Sequence, residues 1–344
     1  SADGKEVHMK VSMVTGPGTT TVMDIEQPQV GERDVLVRIR ACGICGSDAL
    51  YIALGGLPPR QGRMPLGHEA AGEVFEVGAG VTDIAVGDHV VVNPMAAPSG
   101  IIGNGGAHGG LAEYLLIEEA QRGVSLEVVP DHIPFPVAAL NEPMAVARHA
   151  VNRCKPSCSD KVMIFGAGPI GLGAVLAFKS IGVESVVVAD VIASRLDKAL
   201  EVGADAVINS AHQNITQRLI EIHGEGQAMF PGKADTDIYL DAAGAPAVID
   251  ATIAAAKKGA TLGVVALHKK PVPVDLVTLM SNEISIVGSI GYPDEIFEVT
   301  RDLIANWEKY ALLISHTIPF ADVDEAFTKA VTPGAADKII VTND

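Results

Sequence analysis

KVMIFGAGPIGLGAVLAF, beginning at Lys161, restricts the fold more than any other stretch of this chain. The apolar run VMIF breaks at Gly166, and glycines recur at Gly168 and Gly171, with Pro169 and Ile170 between the last two. A G-x-G-x-x-G spacing between a strand and a helix suits a particular geometry. The first glycine permits a tight turn, the second lets the backbone approach a pyrophosphate, and the third allows the helix to pack close. The unpaired N–H groups at the helix start then face the phosphates. The next apolar run, SVVVAD, ends on Asp190, a carboxylate placed to accept from both hydroxyls of an adenosine ribose. Asp190 also repels a 2′-phosphate, which favours NAD over NADP. Arg195 weakens that preference if it reaches a phosphate, and is otherwise a solvated helix charge.

The rhythm of β-run, glycine turn and helix continues through DAVIN, DIYLDAAG, a helix over 247–258, ATLGVVAL and EISIVGSIG. Five or six such strands make a parallel, doubly wound α/β sheet. From Met9 to about Pro130 the texture differs, with short β-type runs such as DVLVRIRACG and GDHVVVNP broken by Gly and Pro. A chain of 344 residues is long for one core, so two domains are expected. After Tyr292 the segments DEIFEVTRDLIANW and ISHTIPF no longer extend the rhythm and are expected to return to the first domain. The expected division is 9–145, 146–291 and 292–344. GIIGNGGAHGG, from Gly100 to Gly110, reads as a flexible loop, and GEGQAMFPGKAD, from Gly224 to Asp235, is longer than a usual connection and has no assigned role.

Charge excludes some partners. The net charge is -17, and no Lys/Arg cluster tracks a phosphate backbone, so nucleic acid is not expected. No apolar stretch has the length to cross a bilayer, so no membrane partner is expected either. The start, SADGKEVH, lacks the apolar core of a secretory signal and reads as an appended segment, so fold reasoning begins at Met9 and a cytoplasmic protein is expected. Four cysteines, Cys42, Cys45, Cys154 and Cys158, are too few and too clustered for a secreted disulfide framework.

ACGICGSDAL carries the first two. Cys45 has partners of metal-ligand type downstream: His68 and Glu69 in LGHEAAGEV and Glu142 in LNEPMAV. Thiolate, imidazole and carboxylate from separate segments make an open catalytic zinc site, whereas a closed structural site uses mostly Cys. Cys42 could share one ion with Cys45, but no second CxxC exists to complete four ligands, and a packed turn thiol is the simpler role. A thioredoxin-type pair would belong near a βαβ unit, not in the strand-rich half. His68 and Glu69, glycine-flanked in an apolar run, would be costly to bury without partners. His108 and His149 read as structural, and Cys154 and Cys158 receive no metal.

GICGSD, GHEAAGEV, GAHGGLAEY, NEPMAV and GAGPIG, in this order, resemble the zinc-containing medium-chain dehydrogenase/reductase superfamily, within it the polyol (sorbitol) and 2,3-butanediol dehydrogenase group. The resemblance implies a GroES-like β-rich catalytic domain, completed by the C-terminal segment, around a Rossmann domain. It implies one catalytic zinc on Cys45, His68 and Glu69, with Glu142 ligating directly or through water, and NAD as cofactor. Ser47 matches the hydroxyl that passes the substrate proton onward. Val265, Ala266 and Leu267 match a loop passing the nicotinamide, and Ile290, Gly291 and Tyr292 a second cofactor-lining stretch. Tyr51 and Tyr292 can orient a second substrate hydroxyl or serve as amphipathic wall residues.

Two departures stand out. Leu50 replaces a histidine that completes the proton relay in many relatives, and the lobe 93–108 has no cysteine for a structural zinc. The implied activity is oxidation of a secondary alcohol, diol or polyol to a ketone. The alternatives are a threonine-type amino alcohol as substrate, or a silent family member that binds NAD and zinc. The family implies a homodimer or homotetramer.

Overall fold

A computed structural model describes residues 6–344. The chain forms two compact units, one made of the segment up to Glu142 with Thr300–Asp344, the other of Pro143–Val299. The return to the first unit falls at Thr300 rather than at residue 292. Glu295 explains the difference: its carboxylate accepts from Asn152 at 3.3 Å and meets His149 Nδ1 at 2.9 Å, tying 292–299 to the second unit.

The second unit is built on six parallel strands, in the order Ala206–Asn209, Ser185–Asp190, Lys161–Phe165, Ile238–Asp241, Thr261–Val264 and Ser285–Gly288. Central strands such as VMIF and IYLD are buried on both faces, which is why they read as continuous apolar runs rather than alternating ones. Met163, Phe165, Val187, Tyr239 and Leu262 form one core cluster with the helices that cross the sheet. The 224–235 connection is a small hairpin that pairs Glu225–Gly226 with Lys233–Ala234. Its Lys233 donates to the carbonyls of Ile253 and Ala254, at the end of the helix Ala247–Ala255.

Beside that hairpin His223 is buried, its Nδ1 2.7 Å from Thr236 Oγ1 and its Nε2 2.9 Å from Ser185 Oγ. Burial, with Lys161 nearby, pushes its pKa down to about 4, against the opposing pull of Asp237 and Asp235. The folded state therefore holds a neutral ring, and its advantage is complete above pH 6.5. It declines as pH falls from there toward 4, where the unfolded chain binds the extra proton. A loss of about 2 kcal/mol across that window is expected, allowing for partial solvent screening. Thermal melts from pH 7 to 4.5 should show it, and His223→Gln should flatten the dependence; an unchanged slope would remove His223 as the cause.

The first unit holds a sheet in the order His316–Pro319, Ile339–Thr342, Val35–Gly43, Glu69–Val77, His89–Val92 and Leu126–Val129, with Tyr114–Ile117 also pairing with Val35–Gly43. Val37, Ile39, Leu66, Val90, Leu115 and Val341 contribute to its core. The C-terminal strand runs antiparallel to the one that delivers the cysteine stretch, with Val341 opposite Cys42. The strand that begins the chain starts at His8 and pairs with Glu26, one residue before the apolar run beginning at Met9. The glycine-rich stretch 100–110 is a closed loop rather than a loose one: Gly103 N donates to His108 O at 2.8 Å and Gly106 N to Ile101 O at 2.9 Å. No helix among the described residues is long and apolar enough to cross a membrane.

Candidate metal and dinucleotide sites

Cys45 stands at the N-cap of the helix Gly46–Leu54, where the strand Val35–Gly43 has just ended. Asp48 fixes that turn: its Oδ2 accepts from Cys45 N at 2.9 Å, one half of a capping box. Its Oδ1 lies 3.5 Å from His68 Nδ1, an ionic contact that sets one buried carboxylate beside both the thiol's backbone and the imidazole.

Glu69 opens the strand Glu69–Val77 directly opposite Gly43, and its side chain folds back over that glycine. A Cβ at position 43 would sit 2.2 Å from Glu69 Oε1, so this close approach requires glycine there. Glu142, in the first turn of the helix Asn141–Arg153, brings Oε2 to 4.0 Å from His68 Nε2, the same distance as Glu69 Oε2. The neighbouring Asn141 accepts from Thr300 Oγ1 at 2.7 Å, which secures the start of this helix.

One ligand atom each from Cys45, His68 and Glu69 lies within 4.8 Å of the others. Ligands of one tetrahedral zinc stand on the order of 3–4 Å apart, so a small contraction would close these donors on an ion. The charge pattern fits as well. Burial opposes a charged imidazole at His68, yet Glu142, Asp48 and Cys45 hold its pKa well above the usual value, so the pocket draws in positive charge. Glu69 Oε2, fully buried, has no hydrogen-bond partner among the described residues. A buried carboxylate oxygen left in that condition is costly, and a cation beside it removes the cost.

The other oxygen of Glu69 is taken. Lys338 Nζ, also buried, donates to Glu69 Oε1 and, at 2.9 Å, to the carbonyl of Ile44. Burial works against the Lys338 charge, but Glu69, Cys45 and Glu142 raise its pKa above the ordinary lysine value. Lys338 thus leaves Oε2 as the free ligand atom. Neither Lys338 nor Asp48 was expected from sequence. An acid three residues after Cys45 at a helix start was a readable capping signal for Asp48. Nothing local marks Lys338.

Cys42 is not among the converging donors; it is buried between Gly67 and Gly110, with burial raising its thiol pKa. Ser47 and Tyr51 are half-buried, one helical turn apart; burial raises the Tyr51 pKa, against the opposing pull of the neighbouring Ser47. Leu50 is exposed. His108 lies 3.7 Å from Glu118, and burial lowers its pKa. Cys154 is buried, with its pKa raised to about 11, and Cys158 is exposed.

In the second unit Gly168 caps the helix Pro169–Ser180, with Pro169 at its first position and Ile170 following. A Cβ on Gly171 would fall 1.8 Å from Gly166 O, so the turn and the helix close only with glycine there. Asp190 ends its strand; Oδ2 accepts from Ala167 N at 2.8 Å and Oδ1 from Ile192 N at 2.9 Å. Its carboxylate is thereby locked against the glycine turn. Arg195 is half-buried on the helix Ala193–Val202. Val265 and Ala266 both donate N–H to Asp241 O at 3.1 Å, while Leu267 is 77% exposed. Ile290 is 89% exposed, Gly291 has φ +64°, and Tyr292 is buried at 8% exposure.

Comparison with known proteins agrees with this geometry. The family model described as alcohol dehydrogenase GroES-like domain matches residues 31–128, and that described as zinc-binding dehydrogenase matches 169–306. The chain is 30% identical to (R,R)-butanediol dehydrogenase of Bacillus subtilis (strain 168), over 92% of this chain and 94% of that protein. It is 31% identical to sorbitol dehydrogenase of Bos taurus, over 92% and 91%. The crystal structure of 2R,3R-butanediol dehydrogenase from Bacillus subtilis superposes with a TM-score of 0.86 at 28% identity, covering 98% of this chain and 100% of that one. A GroES-like unit carrying Cys45, His68, Glu69 and Glu142, joined to a Rossmann unit carrying the glycine turn, places this chain in the zinc-containing medium-chain dehydrogenase/reductase superfamily, near its polyol and butanediol dehydrogenase group.

Proposed function

We propose that this protein oxidises a secondary alcohol, diol or polyol to a ketone by hydride transfer to NAD, using one zinc held by Cys45, His68 and Glu69, with Glu142 as a further ligand. The observation that carries the proposal is the set of a half-buried thiol, a buried imidazole and a buried carboxylate, whose donor atoms converge within 4.8 Å. Similarity to butanediol and sorbitol dehydrogenases supports the substrate class.

Zinc, when bound, supplies Lewis-acid chemistry that eases loss of the alcohol proton near neutral pH, and NAD, when bound, accepts the hydride. The chain's own residues do the rest. Ser47, two positions beyond Cys45, accepts the hydroxyl proton at Oγ as its own O–H proton passes onward to solvent, with Tyr51 beside it one helical turn on. Asp48 keeps the His68 ring turned so that Nε2 faces Glu69 and Glu142. Tyr51, half-buried beside Ser47, orients a second substrate hydroxyl. Without cysteine in 93–108, no structural zinc is held.

The test is zinc content by elemental analysis, followed by NADH absorbance with a panel of diols, polyols, simple secondary alcohols and threonine. Turnover on a diol or polyol with about one zinc per chain is expected. Turnover confined to threonine would move the substrate to an amino alcohol, and zinc with no turnover would leave a binding protein. Asp190→Ala should weaken NAD by about tenfold and leave NADP nearly unchanged, as loss of a charged hydrogen bond predicts. An unaltered preference would end the ribose role of Asp190. A cytoplasmic homodimer or homotetramer completes the proposal, joined through the open sheet edge Ser285–Gly288 beside exposed Leu276, Val277 and Met280.

A further inference from the structure

The glycine turn lies at the end of Lys161–Phe165, and the sheet order reverses between that strand and Ile238–Asp241. A dinucleotide bridges such a reversal, so with Asp190 marking the adenosine side, the nicotinamide half falls beyond Ile238–Asp241 and Thr261–Val264. These two strands end side by side, Asp241 opposite Val264. Asp241 is fully buried. A carboxylate so enclosed is tolerable only if its oxygens are satisfied, and here every bond goes to a loop leaving one of the two strand ends. Oδ1 accepts from Ala243 N at 3.1 Å and Gly244 N at 2.9 Å. Oδ2 lies 2.6 Å from His268 Nε2, and the Asp241 backbone carbonyl accepts from Val265 and Ala266.

His268 Nδ1 is buried with no hydrogen-bond partner among the described residues, so polar contacts fix this ring through Nε2 alone. Leu267, between the pinned Ala266 and the pinned His268, is left exposed. We propose that the Asp241–His268 pair clamps the Val265–Leu267 loop in the shape that receives the nicotinamide half of the dinucleotide, which makes His268 a positioning residue for that half alone. This rests on the dinucleotide reading of the glycine turn. The imidazole donates Nε2–H, Asp241 accepts it, and the backbone between Ala266 and His268 loses the freedom it would otherwise spend on binding.

Calorimetric titration with NAD and with ADP-ribose, which lacks the nicotinamide, separates this role from a merely structural one. His268→Leu should weaken NAD by about tenfold and change ADP-ribose by less than about twofold, with zinc content unaltered. His268→Gln, which keeps a donor, should recover most of the NAD affinity. If the leucine variant does not fold, Asp241→Asn reads the same ratio, because it turns one oxygen into a donor facing Nε2–H. Equal weakening of both ligands, or of neither, overturns the proposal. A wild-type chain that binds neither ligand overturns the dinucleotide reading beneath it.

Discussion

Replacing Lys338 with methionine should destabilise the metal-free protein by about 3–5 kcal/mol, the usual cost of stranding one member of a buried ion pair. Lys338 is 4% exposed and Glu69 0%, so solvent cannot take over the work of the lost ammonium. Glu69 Oε1 would join Oε2 as an unpaired buried acceptor, and Ile44 O would lose its donor as well. Glu69 could escape only by binding a proton. Two further measurements separate this from lost packing. The double variant Lys338→Met with Glu69→Gln should recover much of the loss, since neutralising both partners removes the stranded charge. Zinc added to the single variant should restore more stability than it adds to the wild type, because the ion supplies the missing positive charge. Urea unfolding would measure all of these, and a cost under about 1 kcal/mol for the single variant would show that the pair is worth no more than a surface contact.

The second large effect belongs to Cys42, near the end of the strand Val35–Gly43, and Cys45, at the N-cap of the helix that follows. Cys45→Ser should drop zinc from about one per chain to about a tenth or less and abolish turnover, because a neutral hydroxyl replaces the soft thiolate ligand. Cys42→Ser should retain zinc. Its cost is one of packing, about 1–3 kcal/mol for placing a hydroxyl in the apolar space between Gly67 and Gly110. Elemental analysis of the two purified variants decides the matter. Equal metal loss in both would mean that Cys42 is a ligand although it lies outside the converging donor set.

These predictions draw on features that differ in how visible they were before the fold. The parallel sheet was legible because VMIF, SVVVAD and IYLD, buried on both faces, read as nearly continuous apolar runs that stop at Gly166, Asp190 and Asp241, a pattern written locally. Cys45, His68, Glu69 and Glu142 stood out because ionisable residues in apolar, glycine-rich surroundings need partners. The chain brings them together across two antiparallel strands and the start of one helix. What stayed hidden was pairing over long separations. Lys338 and Glu69 meet because the C-terminal strand lies against Val35–Gly43, which no periodicity in either segment announces. Asp241 and His268 meet because two strands end in register.

Glycine misled in one place. The 100–110 stretch suggested flexibility, yet several of its glycines allow close backbone packing instead, Gly103 against Gly67 among them. Tyr292, expected either to orient a substrate hydroxyl or to stand as a wall residue, is buried at 8% exposure.

Zinc held by Cys45, His68, Glu69 and Glu142 is the proposed agent of alcohol oxidation. The most direct test strips the purified protein with a chelator and titrates zinc back while NADH formation from a diol is followed. Activity should be absent at the start, rise in proportion to zinc, and level off at about one zinc per chain. Full activity in the stripped protein, or a plateau that needs two zinc ions per chain, would contradict it.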